Sequence, residues 1–120
     1  MSKKTLVLGA SLKEARYSNM AIQSLRRNKV ETLAIGLRKG SVTDVQIDTD
    51  QPDYKNVNTV TLYLNPKRQE PYYDYILSLK PARVIFNPGT ENPEFYKMLE
   101  ANNIEVEVAC TLVMLNTRQY

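Results

Sequence analysis

Apolar residues fall along this chain in short concentrated runs, and helical patterns lie between them. Residues 5–8 form the first run, halted by Gly9-Ala10-Ser11. Met20, Ala21, Ile22 and Leu25 then recur at helical spacing behind Ser18, which reads as an N-cap, and Arg26, Arg27 and Lys29 suit the negative end of that helix. Residues 30–35 form the second run, closed by Gly36. Residues 37–56 are polar and irregular, with Gly40, Asp44, Asp48, Asp50 and Pro52, and read as a long connection holding one short extended piece around Val45 to Ile47.

The third run, residues 57–64, is rich in β-branched and aromatic side chains and stops at Asn65-Pro66. Pro66 or Pro71 suits the first turn of a helix that reaches Leu79 and ends at Lys80-Pro81. Residues 82–86 make a fourth run. After Asn87-Pro88-Gly89, Asn92 reads as the cap of a helix with Pro93 first, Glu94 in its opening turn, and Phe95, Met98 and Leu99 inward. A fifth run covers residues 104–109, and residues 111–120 are too short to classify.

Strands buried on both faces and alternating with crossover helices predict an α/β fold with a mainly parallel five-stranded sheet. Residues 1–120 form one domain without repeat, low-complexity tract or linker. In such sheets ligands bind beyond the carboxyl ends of the strands, where strand order reverses. That selects the turns around Gly9, Gly36, Leu64 and Asn87.

Composition narrows the function classes. The chain is 42% hydrophobic and 24% charged with a formal net charge of +3, ordinary for a globular protein and mildly suited to an anionic ligand. The basic pairs Lys3-Lys4, Arg26-Arg27, Arg38-Lys39 and Lys67-Arg68 are scattered, which argues against a nucleic-acid binder. No stretch approaches the roughly 18 apolar residues of a membrane helix, and the first run is too short for a signal peptide. A single cysteine, Cys110, excludes an intrachain disulfide and fits a cytoplasmic location.

The first turn is the main candidate for chemistry. Gly9 permits a tight bend that a Cβ would obstruct, and backbone N–H groups there can accept an anion. The dinucleotide fingerprint G-x-G-x-x-G fails, because Ser11 and Glu14 occupy its second and third glycine positions. Beyond the second strand, where NAD binders carry an acid for the ribose, this chain carries Arg38 and Lys39, which favour a phosphorylated ribose as in CoA or NADP.

These motifs resemble a family. Thr5-Leu6-Val7-Leu8-Gly9-Ala10-Ser11, Tyr17-Ser18, Ile35-Gly36-Leu37-Arg38-Lys39-Gly40, Tyr63-Leu64-Asn65-Pro66, Asn87-Pro88-Gly89 and Val108-Ala109-Cys110 are similar to the bacterial stand-alone CoA-binding domains. Those domains are relatives of the CoA-binding domain of the succinyl-CoA ligase alpha subunit. The resemblance implies a Rossmann-like three-layer sandwich with CoA or acyl-CoA across the strand ends. It places Gly9, Ala10 and Ser11 at the diphosphate, with Ser18 in the accompanying motif, and Arg38 and Lys39 at the phosphorylated ribose or adenine. Leu64, Asn65 and Pro66 would then lie along the ligand's flank, and Asn87 and Gly89 near the pantetheine end. The chain departs from the family pattern at Leu37, Ala109 and Thr111, where a proline, an arginine and a proline are usual.

No catalytic constellation accompanies this site. The chain lacks histidine, which removes the commonest general base and the main catalytic zinc ligand, and one cysteine cannot build a structural zinc site. The acidic residues form no dyad: Asp44, Asp48 and Asp50 read as solvated. Cys110 reads as a buried, inert thiol. The expectation is a binding protein for a small nucleotide ligand, without nucleic acid, membrane or metal. Two alternatives remain: an NADP-binding oxidoreductase or sensor, and a Rossmann-like interaction domain that has lost its ligand.

Overall fold

The computed structural model describes residues 3–120. Its strands are β1 (Thr5–Ala10), β2 (Thr32–Gly36), β3 (Gly40–Val42), β4 (Val45–Asp48), β5 (Thr59–Leu62), β6 (Arg83–Phe86) and β7 (Glu105–Val108), with helices α1 (Tyr17–Arg27), α2 (Pro66–Gln69), α3 (Tyr73–Leu79), α4 (Pro93–Ala101) and α5 (Thr111–Asn116). They form one sheet in the order β3-β4-β2-β1-β5-β6-β7. Every pairing is parallel except β3 with β4.

The sheet has seven strands where the pattern predicts five. The additional pair is a hairpin within residues 37–56: the extended piece expected around Val45 to Ile47 is β4, and β3 is the strand the pattern did not predict. Val42, Val45 and Ile47 are buried while Ser41 and Gln46 face water, an alternation too short to stand out in the sequence. Pairing decides it: Ile47 lies beside Ala34 of β2, and the hairpin tip is fastened to α1 by a bidentate contact from Arg26 to Asp44, at 2.9 Å from Nε and 2.8 Å from Nη2.

Helices cover both faces. Leu6, Leu8, Val60, Leu62, Val84 and Phe86 pack against Ile76 of α3 and against Phe95 and Leu99 of α4. On the other face Val7, Ala10, Ala34 and Ile47 meet Ile22 and Leu25 of α1 and Leu115 of α5. Toward β5 and β6 this second face turns polar. Buried Arg83 donates from Nε to Thr59 Oγ1 at 2.9 Å and from Nη1 to Glu107 at 3.1 Å, and its guanidinium lies 4.4 Å from the Tyr120 ring centre. Residues 111–120 thus close this face, through α5 and then Tyr120.

Element boundaries differ in instructive ways. α1 starts at Tyr17 with Arg16 at its N-cap position, so Ser18 lies buried in the first turn and is not the cap. The Asn19 side chain explains the shift: its Nδ2 donates to the Ser11 carbonyl at 2.9 Å and pins the helix start against the preceding loop. The helix expected up to Leu79 is broken into α2, a single 3-10 turn (Glu70–Tyr72) around Pro71, and α3. Asn92 caps α4 as expected, accepting from the Phe95 N–H. Among the described residues no helix is long and apolar enough to cross a membrane.

Candidate functional site

β1 is the strand at which the order reverses, because the chain continues to β2 on one side and later returns to β5 on the other. Three close approaches shape the loops at its carboxyl end. Gly9 has φ +98°, and the ladder between β1 and β2 shifts register across it. A Cβ at Gly9 would stand 3.1 Å from the Tyr63 carbonyl carbon and from Leu64 Cδ2. At Gly36 a Cβ would stand 2.3 Å from the Ala10 oxygen, so only glycine lets β2 end there. Leu12 folds over Gly40, joining the first loop to the start of β3.

The residues picked from the sequence share this edge but differ in exposure. Ser11 is half-buried and tethered twice: its Oγ accepts from the Lys13 N–H at 3.1 Å and its carbonyl from Asn19. Ala10 and Ser18 are buried, and Gly9 and Leu64 half-buried. Arg38, Lys39, Asn65, Pro66 and Gly89 are exposed. Asn65 spends its side-chain oxygen on the Arg68 N–H, capping α2 at 2.9 Å.

Asn87 differs most from expectation. It is buried, and its Nδ2 donates to Thr61 Oγ1 at 2.7 Å and the Leu62 carbonyl at 2.8 Å, while its Oδ1 accepts from the Thr111 N–H at 2.9 Å. Both ends of the amide are therefore committed to joining β5, β6 and α5, and it shapes the edge from beneath.

Sequence reasoning passed over the residue that holds the loops together. Gln69, fully buried, donates to the carbonyls of Leu64 and Thr90, each at 2.8 Å, and accepts from Asn92 Nδ2 at 2.9 Å. It ties the loop after β5 to the loop after β6. The only sequence signal was a glutamine opposite the exposed face of a short helix, which does not stand out.

The electrostatics of the edge also emerge only in three dimensions. Lys13, Arg16, Arg38, Lys39, Lys67 and Arg68 all lie exposed in loops or first turns at the carboxyl ends of β1, β2 and β5. None forms an ion pair among the described residues. The four pairs that do form, Lys4–Glu31, Arg26–Asp44, Lys55–Asp53 and Arg83–Glu107, lie toward the opposite end of the sheet. Basic pairs that are scattered in sequence therefore converge into a net-positive rim, in which the cations outnumber the neighbouring Glu14 and Glu70.

Toward β7 the edge becomes neutral. Cys110 follows β7 at the N-cap position of α5 and is half-buried, not buried as expected. The reason is that β7 is an edge strand, with no outer neighbour to cover Val108 and Ala109. Behind the site the Tyr63 phenol, packed under α5 with Thr61 and Thr111, is pushed by burial up to about 12 and stays protonated at neutral pH.

Comparison with known proteins bears on the fold and the family. A crystal structure of an uncharacterised protein is 47% identical, with a TM-score of 0.97, over 100% of this chain and 99% of that one. The structure of cell-free ID.343 from Thermus thermophilus is 23% identical with a TM-score of 0.86, over 99% of this chain and 91% of that one. A hypothetical protein from Pyrococcus horikoshii OT3 is 19% identical with a TM-score of 0.86, over 98% and 84%. The latter two likenesses concern the fold. No curated protein matches the sequence. The family model described as CoA binding domain matches residues 3–116, and the chain belongs to that family.

Proposed function

We propose that this chain binds coenzyme A, free or acylated, across the carboxyl edge of its sheet. The observation that carries the reading is the rim of unpaired cations around the Gly9–Ser11 turn, within a fold whose family binds CoA. CoA presents a diphosphate and a ribose phosphate, and a site of several exposed cations attracts such a polyanion and speeds its capture. In this reading the diphosphate lies on the turn from Gly9 to Ser11, Arg38 and Lys39 take the ribose phosphate, and the arm runs past Leu64, Asn65 and Pro66 toward Gly89. Ala10, Ser18 and Asn87 support the turns from beneath. The chain's own groups bind and orient; no bond-making step is assigned to them.

Calorimetric titration with CoA, dephospho-CoA, NADP and NAD tests the reading. CoA should bind more tightly than dephospho-CoA by roughly ten- to a hundred-fold, because each charge-assisted hydrogen bond contributes about 1.5–3 kcal/mol. Equal affinity for CoA and dephospho-CoA would remove Arg38 and Lys39 from the site. Tighter binding of NADP than CoA would replace the ligand.

A further inference from the structure

The turn after β6 carries a carboxylate where a ligand's far end would arrive. Gly89 has φ +92°, and a Cβ there would meet nothing within 4 Å, so the space before it is open. Pro88 has no N–H, and the Thr90 N–H is bonded to the Asn87 carbonyl at 3.0 Å. The Gly89 N–H is one donor this turn directs outward, and Glu91 Oε1 accepts it at 2.8 Å. Glu91 is exposed and forms no ion pair among the described residues.

The charge along the edge thus changes sign. Past β1, β2 and β5 the cations outnumber the acids Glu14 and Glu70, whereas the turn after β6 holds Glu91, with Glu94 in the first turn of α4, and β7 ends in the neutral Val108, Ala109 and Cys110. From β2 to β6 is three strand spacings, about 14 Å at the usual separation. A CoA whose phosphates sit on the cations would send its pantetheine arm across that span toward Glu91.

We propose that Glu91 determines acyl specificity: the site accepts CoA with a free thiol or an uncharged acyl group and rejects acyl groups that end in a carboxylate. Two physical effects act together. A second carboxylate near Glu91 is repelled, and Glu91 already occupies the Gly89 N–H that could help to hold one. The inference rests on the CoA reading above and extends it to the acyl group.

Malonyl-CoA and butyryl-CoA provide the test, being similar in size and different in charge. Wild-type protein should bind butyryl-CoA at least fivefold more tightly than malonyl-CoA, with the ratio growing at low salt. Glu91→Gln keeps an oxygen for the Gly89 N–H and removes the charge, and the ratio should fall to within twofold. Glu91→Lys should invert it. A wild-type ratio near one, or a ratio that Glu91→Gln leaves unchanged, overturns the role of Glu91 while a parallel titration with free CoA shows the CoA reading intact. Failure of wild type to bind free CoA overturns both.

Discussion

Gly9 and Leu64 touch across the crossover point of the sheet: a methyl group on Gly9 would lie 3.1 Å from Leu64 Cδ2. The glycine is required by the protein's own chain, whatever binds beside it. Its φ of +98° adds a second constraint that no L side chain meets easily.

Gly9→Ala should therefore cost stability as well as affinity. The strained backbone alone contributes about 1–2 kcal/mol, and the tight contact adds to it. Urea unfolding measures the loss. A variant as stable as wild type would show that the β1–β5 approach relaxes freely.

Replacing Arg38 and Lys39 together by Ala should weaken CoA binding by roughly ten- to a hundred-fold and dephospho-CoA binding far less. Both side chains are exposed and unpaired, so the melting temperature should hardly move. Titrating both ligands at two salt concentrations separates loss of a specific contact from loss of general attraction, which salt screens.

Gln69→Leu should lower stability by about 2–4 kcal/mol, since buried carbonyls lose their donor and Asn92 loses an acceptor. Its side-chain bonds to Leu64 and Thr90 join the loops after β5 and β6. Denaturant unfolding reads the cost, and hydrogen exchange should show faster opening confined to those loops. Unchanged protection there would deny Gln69 its fastening role.

Stability should fall in alkali before it would in a protein with exposed tyrosines. Burial raises Tyr63 and Tyr75 from 10.0 to about 12, so above pH 10 the unfolded chain releases phenolic protons that the folded chain retains. The unfolded state then binds fewer protons and unfolding becomes easier as pH rises. The contribution is fully present below pH 10 and disappears through about pH 12. Tyr63→Phe should flatten the pH dependence of urea midpoints over that interval.

Cys110→Ser should leave CoA affinity within about threefold and stability within about 1 kcal/mol, because serine is a favoured residue at the N-cap position Cys110 holds. Incubation with oxidised CoA followed by intact mass measurement provides the contrary outcome. A stoichiometric, dithiothreitol-reversible adduct on wild type alone would make this thiol a partner of the ligand.

Much of this protein was legible before folding. Predominantly apolar runs such as residues 5–8 and 82–86, each followed by a helical stretch, specify strands buried on both faces and hence a parallel α/β sheet. Asn92 before Pro93 marks a helix start because both act within one turn of chain. Gly9, Ser11, Arg38 and Lys39 stood out for the same reason, being local turns and charges at strand ends.

What the sequence left open depends on which distant segments become neighbours. Of the β3–β4 hairpin only the piece around Val45 to Ile47 was legible; β3 is too short to have a period of its own, and the hairpin is stabilised by lying beside β2. Asn87 looked like a ligand contact, yet it turns inward because Thr61, 26 residues earlier, and Thr111, 24 residues later, come within hydrogen-bond reach. Gln69 and Thr90 are 21 residues apart and meet only after β5 and β6 pair. The basic pairs Arg38-Lys39 and Lys67-Arg68 form one electrostatic rim only because β2, β1 and β5 are adjacent and parallel. Local patterning encodes which face of an element is buried; hydrogen-bond partners and summed charge are properties of strand order, and the tertiary structure decides them.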